Sequence, residues 1–230
     1  VSVQAEELSD DALDELSYND FAEAQEIFDE RYGDEILSEH EKDDLAVLIL
    51  NEIANKAKPF NNSEINYSLM ASSSSILPEA YKKLNSKEKA LVKTSPSQAL
   101  HVYAASKSAN QLSITYFKNG GNDKNNGNAF KHAYWNVLMY VQIGYNGAKK
   151  WADAHEYGHS GVATTMDYRN NEVGRQTGKT LVSQVKKKHK RKPTYLEARN
   201  AVFTKINQGK LYRVVNSKLV KTNSSDNIRR

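Results

Sequence analysis

Apolar residues recur at helical intervals over most of the chain, beginning with Leu13, Leu16, Phe21, Ala24, Ile27 and Phe28 and continuing through Ile36, Leu37, Leu45, Leu48, Ile49 and Ile53. Ser9-Asp10-Asp11 supplies a helix start, and Gly33 a break between two helices. Short helices are predicted over Pro78–Leu84 and Ser86–Lys93, and a longer one over Ser97–Phe117. The loop Lys118–Gly127, rich in Gly and Asn, ends at Asn128, which is placed to cap the next helix. Further helices follow over Lys149–Gly158, Asp167–Lys188 and Thr194–Gln208. From Lys210 to Thr222 the period shortens to two around Asn216-Ser217, which predicts a hairpin. The expected fold is mainly α: a multi-helix globular domain with an acidic N-terminal helical segment and a small C-terminal β-hairpin.

The polar stretch from Lys58 to Leu77, with Pro59, Asn61-Asn62 and the run Ser72–Ser75, reads as a linker. It divides an acidic helical segment (1–57) from a basic helical domain (78–230) that carries the candidate chemistry. Charge follows the same division: residues 1–50 carry a net −15 and the remaining 180 a net +19. Such asymmetry fits a solvated acidic helix pair, or else a tail, a propeptide or an intramolecular mask docked on the basic surface. With no cysteine, disulfides, thiolate metal sites and cysteine nucleophiles are excluded. No apolar run approaches the roughly 18 residues of a membrane span. Val3 and Ala5 before Glu6-Glu7 have the small-residue spacing of a secretory cleavage site, so a secreted or cell-surface protein is expected.

Three of the six histidines fall between Asn128 and Arg175, inside helical stretches that packing alone would fill with apolar side chains. His132 and Asn136 stand four apart and share a helix face, while Phe130, Tyr134, Val137 and Val141 form the core stripe. Asp167, Asn170, Asn171, Gly174 and Gly178 recur at three- and four-residue spacing, a face first polar and then small enough to admit a close neighbour. His155-Glu-Tyr-Gly-His159 spells H-E-x-x-H, which on a helix offers two imidazoles to one zinc ion and a glutamate as general base. This resembles the zinc metallopeptidase signature, although Val162 and Thr165 stand where the longer version requires glycine and histidine. The run Lys186, Lys187, Lys188, His189, Lys190, Arg191, Lys192 suits an anionic polymer or lipid surface.

The motifs Asn128-Ala-Phe-Lys-His-Ala-Tyr-Trp-Asn136, Ala152-Asp-Ala-His-Glu156 and Met166-Asp-Tyr-Arg-Asn-Asn-Glu-Val-Gly-Arg175 resemble a family of uncharacterised bacterial domains over roughly residues 85–208. The resemblance implies an exported, polymorphic-toxin-associated protein. It carries over His132, Trp135, Asn136, Asp153, His155, Glu156, Asp167, Asn170, Asn171, Gly174 and Arg175, but not His159. It implies no particular reaction.

These readings converge on an exported, toxin-like hydrolase, assisted by zinc or another divalent metal and acting on a cell-envelope or other anionic substrate. His132, His155, His159 and Asp167 are the candidate metal ligands, and Glu156 the general base. Asn136 and Asn171 position by hydrogen bonding, and Arg175 steadies an anionic transition state. His132, His155, Glu156, Asp167 and Asn171 should then line one pocket. A zinc peptidase using His155 and His159, and a non-catalytic envelope-binding or interaction domain whose polar cluster is a buried network, are the alternatives.

Overall fold

The computed structural model describes residues 7–57, 82–117, 120 and 122–224. Its elements are α1 (Asp10–Glu15), α2 (Tyr18–Tyr32), α3 (Glu39–Ala57), α4 (Ser86–Thr94), α5 (Pro96–Tyr116), α6 (Asn126–His155), α7 (Val162–His189), α8 (Tyr195–Asn207), β1 (Tyr212–Val215) and β2 (Lys218–Lys221). The protein is mainly α with a small antiparallel C-terminal hairpin, as the hydrophobic periods require. The expected linker over 58–77 lies outside the described residues, as does most of the helix expected at Pro78–Leu84; Lys82–Leu84 are not helical.

The chain forms two compact units, residues 1–107 and 108–230. In the first, α1–α3 pack around Leu13, Leu16, Phe21, Ile49 and Leu50. Residues 82–107, expected from the sequence to open the basic domain, group with these acidic helices because Val92, Leu100 and Tyr103 complete their core. Asn85 caps α4 by accepting from the Lys87 and Glu88 amides, and Glu88 returns a bond to the Asn85 amide at 2.8 Å. The second oxygen of Glu88 accepts from Tyr18 Oη at 2.9 Å, so a carboxylate that is 1 % exposed has both oxygens satisfied. Asp10 pairs with Lys93 at 2.6 Å and Asp14 with Lys89, which gives two charges of the acidic segment intramolecular partners.

The second unit is built on α6, α7, α8 and the hairpin. Helix α6 starts one turn earlier than the sequence suggested: Asn125 is the cap, its side chain accepting from the Gly127 amide at 2.9 Å. Asn128 therefore lies inside the helix. Gly144 interrupts α6 at φ 72°, ψ −177°, a conformation open essentially to glycine alone. Contacts with α7 run His132 to Asn171, Asn136 to Arg175 and Tyr140 to Gly178, so the limb before Gly144 lies parallel to α7. The limb after Gly144 doubles back, since Trp135 meets the His155 ring edge-on at 5.3 Å. An unbroken helix would hold residues 132 and 156 roughly 36 Å apart.

Close approach of α6 and α7 depends on the small face of α7. A Cβ on Gly174 would lie 2.4 Å from the Ala133 carbonyl oxygen and 2.8 Å from Asn136 Cβ. Below this seam Phe117, Phe130 and Phe203 form an aromatic core with centroids 5.2 to 5.7 Å apart. Asn170 fastens the hairpin to α7: its amide donates to the Tyr212 carbonyl and its Oδ1 accepts from the Tyr212 amide, both at 2.9 Å. The strands pair in register from Tyr212–Lys221 to Val215–Lys218, and the two turn residues Asn216 and Ser217 take φ 50° and 58°.

Candidate metal centre

The Gly144 reversal returns Glu156, just beyond α6, to the start of the same helix, where its Oε1 stands 3.8 Å from His132 Nδ1. From α7, Asp167 Oδ1 faces His132 Nε2 at 3.1 Å. Among the described residues, His132, Glu156 and Asp167 form one group whose candidate ligand atoms all lie within 4.8 Å of one another. His132 and Glu156 are buried, and the Asp167 side chain is 15 % exposed.

Proton positions follow from the hydrogen bonds. Asn171 Oδ1 accepts from Asn136 Nδ2 at 2.8 Å and lies 3.1 Å from His132 Nδ1, so that nitrogen carries hydrogen and donates. His132 Nε2 is left facing an Asp167 oxygen, and something positive must lie between two acceptors. Without a metal this is a proton: burial first, then the negative charges of Glu156 and Asp123, pushes Asp167 up to about 8, against the opposing pull of Lys131 and His155. A divalent cation can take that proton's place.

The residues present fit such an ion. Glu156 Oε1 is buried without a hydrogen-bond partner. A buried carboxylate beside a part-buried one is relieved of repulsion by a proton or by a cation, and one imidazole with two carboxylates is a donor set for zinc or another divalent metal.

Around this group lies a layer that fixes it. Asn136, fully buried, donates to the His132 carbonyl at 3.0 Å and accepts at Oδ1 from Arg175 Nη1 at 2.9 Å. Arg175 also grips Glu172 through Nε and Nη2 and lies over the Tyr145 ring at 5.5 Å. Although partial burial works against it, bonds from Gln176, Tyr145 and Arg175 hold Glu172 below the usual carboxylate range. Asn128 bridges two acids, donating to Asp123 at 2.7 Å and to Asp167 at 3.2 Å.

His132, Glu156, Asp167, Asn136, Asn171 and Arg175 thus come together, while three expected roles change. Glu156 stands as a ligand candidate beside its reading as general base. Arg175, 3 % exposed and engaged by Asn136 and Glu172, orients the site from behind and does not face a substrate. His155 and His159 are not on successive turns of one helix: α6 ends at His155, Glu156 caps it, and residues 156–158 form a turn. The helical chelation that the H-E-x-x-H spacing suggested is therefore absent from this fold. His155 packs edge-on against Trp135, and exposed His159 sits with Nδ1 3.6 Å from Glu156 Oε2.

Sequence reasoning missed the site roles of Asp123, Asn128 and Tyr145. Asp123 sits in an Asn/Gly loop with no periodic signal, and Asn128 was expected as a cap. Glu172 and Arg175, three apart on a helix, carried the only available hint of their pairing.

A helical scaffold enclosing one imidazole and two carboxylates defines the class of protein. The chain belongs to the family described as Domain of unknown function (DUF6973), whose model matches residues 89–207. That span takes in every member of the cluster and ends with α8, short of the hairpin. No curated protein and no solved structure matches the chain.

Proposed function

We propose that the second unit is a metal-assisted hydrolase of an exported, toxin-like protein, acting on a cell-envelope or other anionic substrate. One observation carries the reading: His132, Glu156 and Asp167 each present a ligand atom within 4.8 Å of the others, with Glu156 Oε1 buried and without a hydrogen-bond partner. When bound, a divalent cation supplies Lewis acidity toward the scissile group and makes water more acidic at neutral pH. His132 and Asp167 would hold the ion, for which Asp167 would have to be ionised. Asn171 fixes the imidazole tautomer, and Asn136 with Arg175 fixes Asn171. Glu156 serves as ligand through one oxygen or as base through it. The anionic character of the substrate rests on charge, since residues 108–230 carry twenty-two Lys and Arg against seven Asp and Glu.

Elemental analysis of the purified chain, followed by hydrolysis assays on teichoic-acid, glycan and phosphodiester substrates with and without chelator, tests this reading. His132→Ala and Asp167→Asn should lose metal and activity, whereas His159→Ala should retain metal. A chain that binds no divalent cation removes the proposal.

The second reading is a non-catalytic interaction domain. It is favoured by the closed run of buried bonds from Arg175 through Asn136 and Asn171 to His132, which by itself joins α6 to α7. On that reading His132→Ala lowers stability and changes no metal content.

A further inference from the structure

The corner between α7 and α8 belongs to no part of the site just described. Lys186, Lys187 and Lys188 occupy the last turn of α7 and are exposed, while Val185 beside them is buried and fixes that turn to the core. Lys190 ends the helix in the left-handed conformation at φ 58°, and Arg191 and Lys192 continue the exposed run. Interaction with the helix dipole accounts for cations in the last turn but not for those beyond it. From Val173 to Ser224 the sequence carries fourteen Lys and Arg and a single carboxylate, Glu197. That carboxylate is held by Arg191 through both oxygens, at 2.8 and 2.9 Å, so this stretch of sequence offers its lysines no second acid.

Beside the cations stand two exposed apolar side chains. Tyr195 and Leu196 open α8 at 67 % and 54 % exposure, while Ala198, Val202 and Ile206 of the same helix are buried. An exposed aromatic next to an exposed aliphatic residue, a few positions along the chain from the lysines, combines three chemistries: charge attraction, an amphipathic ring and a small apolar wedge.

We propose that this corner docks the protein on an anionic lipid bilayer, with the lysines over the headgroups and Tyr195 and Leu196 entering the headgroup–acyl boundary. Leu196 selects lipid over nucleic acid, because an aliphatic chain standing in water finds an acyl environment in a membrane and only sugar and phosphate along a polynucleotide. The lysines select charge without geometry, since ammonium groups make no planar bidentate contacts. The attachment is peripheral, as no described helix is long and apolar enough to cross a membrane. It stands independently of the metal centre.

Cosedimentation of the full chain with vesicles of phosphatidylglycerol and phosphatidylcholine in equal parts, against vesicles of phosphatidylcholine alone, tests the proposal. Binding should require the anionic lipid and weaken with salt. Each lysine near such a surface contributes roughly five-fold in partitioning, so K186Q/K187Q/K188Q should weaken binding about a hundred-fold. Leu196→Ser should weaken it about ten-fold with no change in salt dependence, a loss that a purely electrostatic contact would not show. All these side chains are exposed, so thermal melts should match the parent and keep folding out of the comparison. Inorganic phosphate added to the anionic vesicles should not displace the protein at matched ionic strength. Failure to bind anionic vesicles, or binding indifferent to Leu196→Ser, overturns the proposal. So does a single-stranded oligonucleotide that displaces the vesicles and binds the Leu196→Ser variant equally well.

Discussion

Replacing Gly174 by alanine should destabilise the second unit, although helix propensity argues the other way. Alanine is favoured over glycine inside a helix by about 1 kcal/mol. Against that gain, the new methyl would lie 2.4 Å from the Ala133 oxygen, 2.8 Å from Asn136 Cβ and 2.9 Å from Ala133 Cα. Two of these are backbone atoms and the third is the root of a fully buried side chain, so none can turn aside. Restoring ordinary carbon contacts of about 3.5 Å or more requires α6 and α7 to part by roughly 1 Å. Overpacking of this kind costs about 1–3 kcal/mol, and each buried hydrogen bond broken adds about 1–3 kcal/mol. The bonds at risk are Asn136–Asn171 at 2.8 Å and Arg175–Asn136 at 2.9 Å, because both cross the same seam. A net loss of about 3 kcal/mol is expected, a fall in Tm of roughly 6–12 °C for a chain of this size. Urea unfolding followed by circular dichroism measures it. Gly178→Ala should cost less: the nearest atom there, Tyr140 Cβ at 2.8 Å, is held by its backbone as Asn136 Cβ is, but no backbone atom stands as close as the two at Gly174. If Gly174→Ala matched the parent within about 0.5 kcal/mol, the seam would be looser than described.

Two further outcomes follow from the same geometry. Asp167 is raised from 3.8 to about 8 by burial and by Glu156 and Asp123, so the folded metal-free chain holds a proton there that the unfolded chain releases. That contribution is fully present below about pH 4 and is lost as pH rises toward 8, a loss that chemical denaturation across this window should record and Asp167→Asn should abolish. Arg175→Lys cannot hold Asn136 Oδ1 and both bonds to Glu172 at once; it should cost about 2–4 kcal/mol in the same unfolding assay and weaken zinc binding measured by calorimetric titration, whereas unchanged affinity would remove Arg175 from the positioning layer.

Much of the fold was legible because helix and hairpin signals are local. The three-residue steps Leu13–Leu16 and Phe21–Ala24, the cap at Ser9 and the turn Asn216-Ser217 all act within a few residues and appear where the pattern placed them, although Leu16 and Ser17 break into two the helix expected before Gly33. The polar-then-small face of α7 was legible for the same reason, since Asn171 and Gly174 lie on one turn and meet His132 and Asn136 on another. Which acids would accompany His132 was decided elsewhere. The helical period over Ala152–His159 made His155 and His159 look like partners, and the turn at Glu156–Gly158 separates them. Glu156 reaches His132 because the backbone reverses at Gly144, and Asp123 reaches Asp167 through Asn128 because the loop packs back on the helix it precedes. Side chains a few residues apart are set by backbone geometry that sequence encodes directly. Those brought together across a chain reversal are set by the packing of whole helices, and only the folded structure contains that distance.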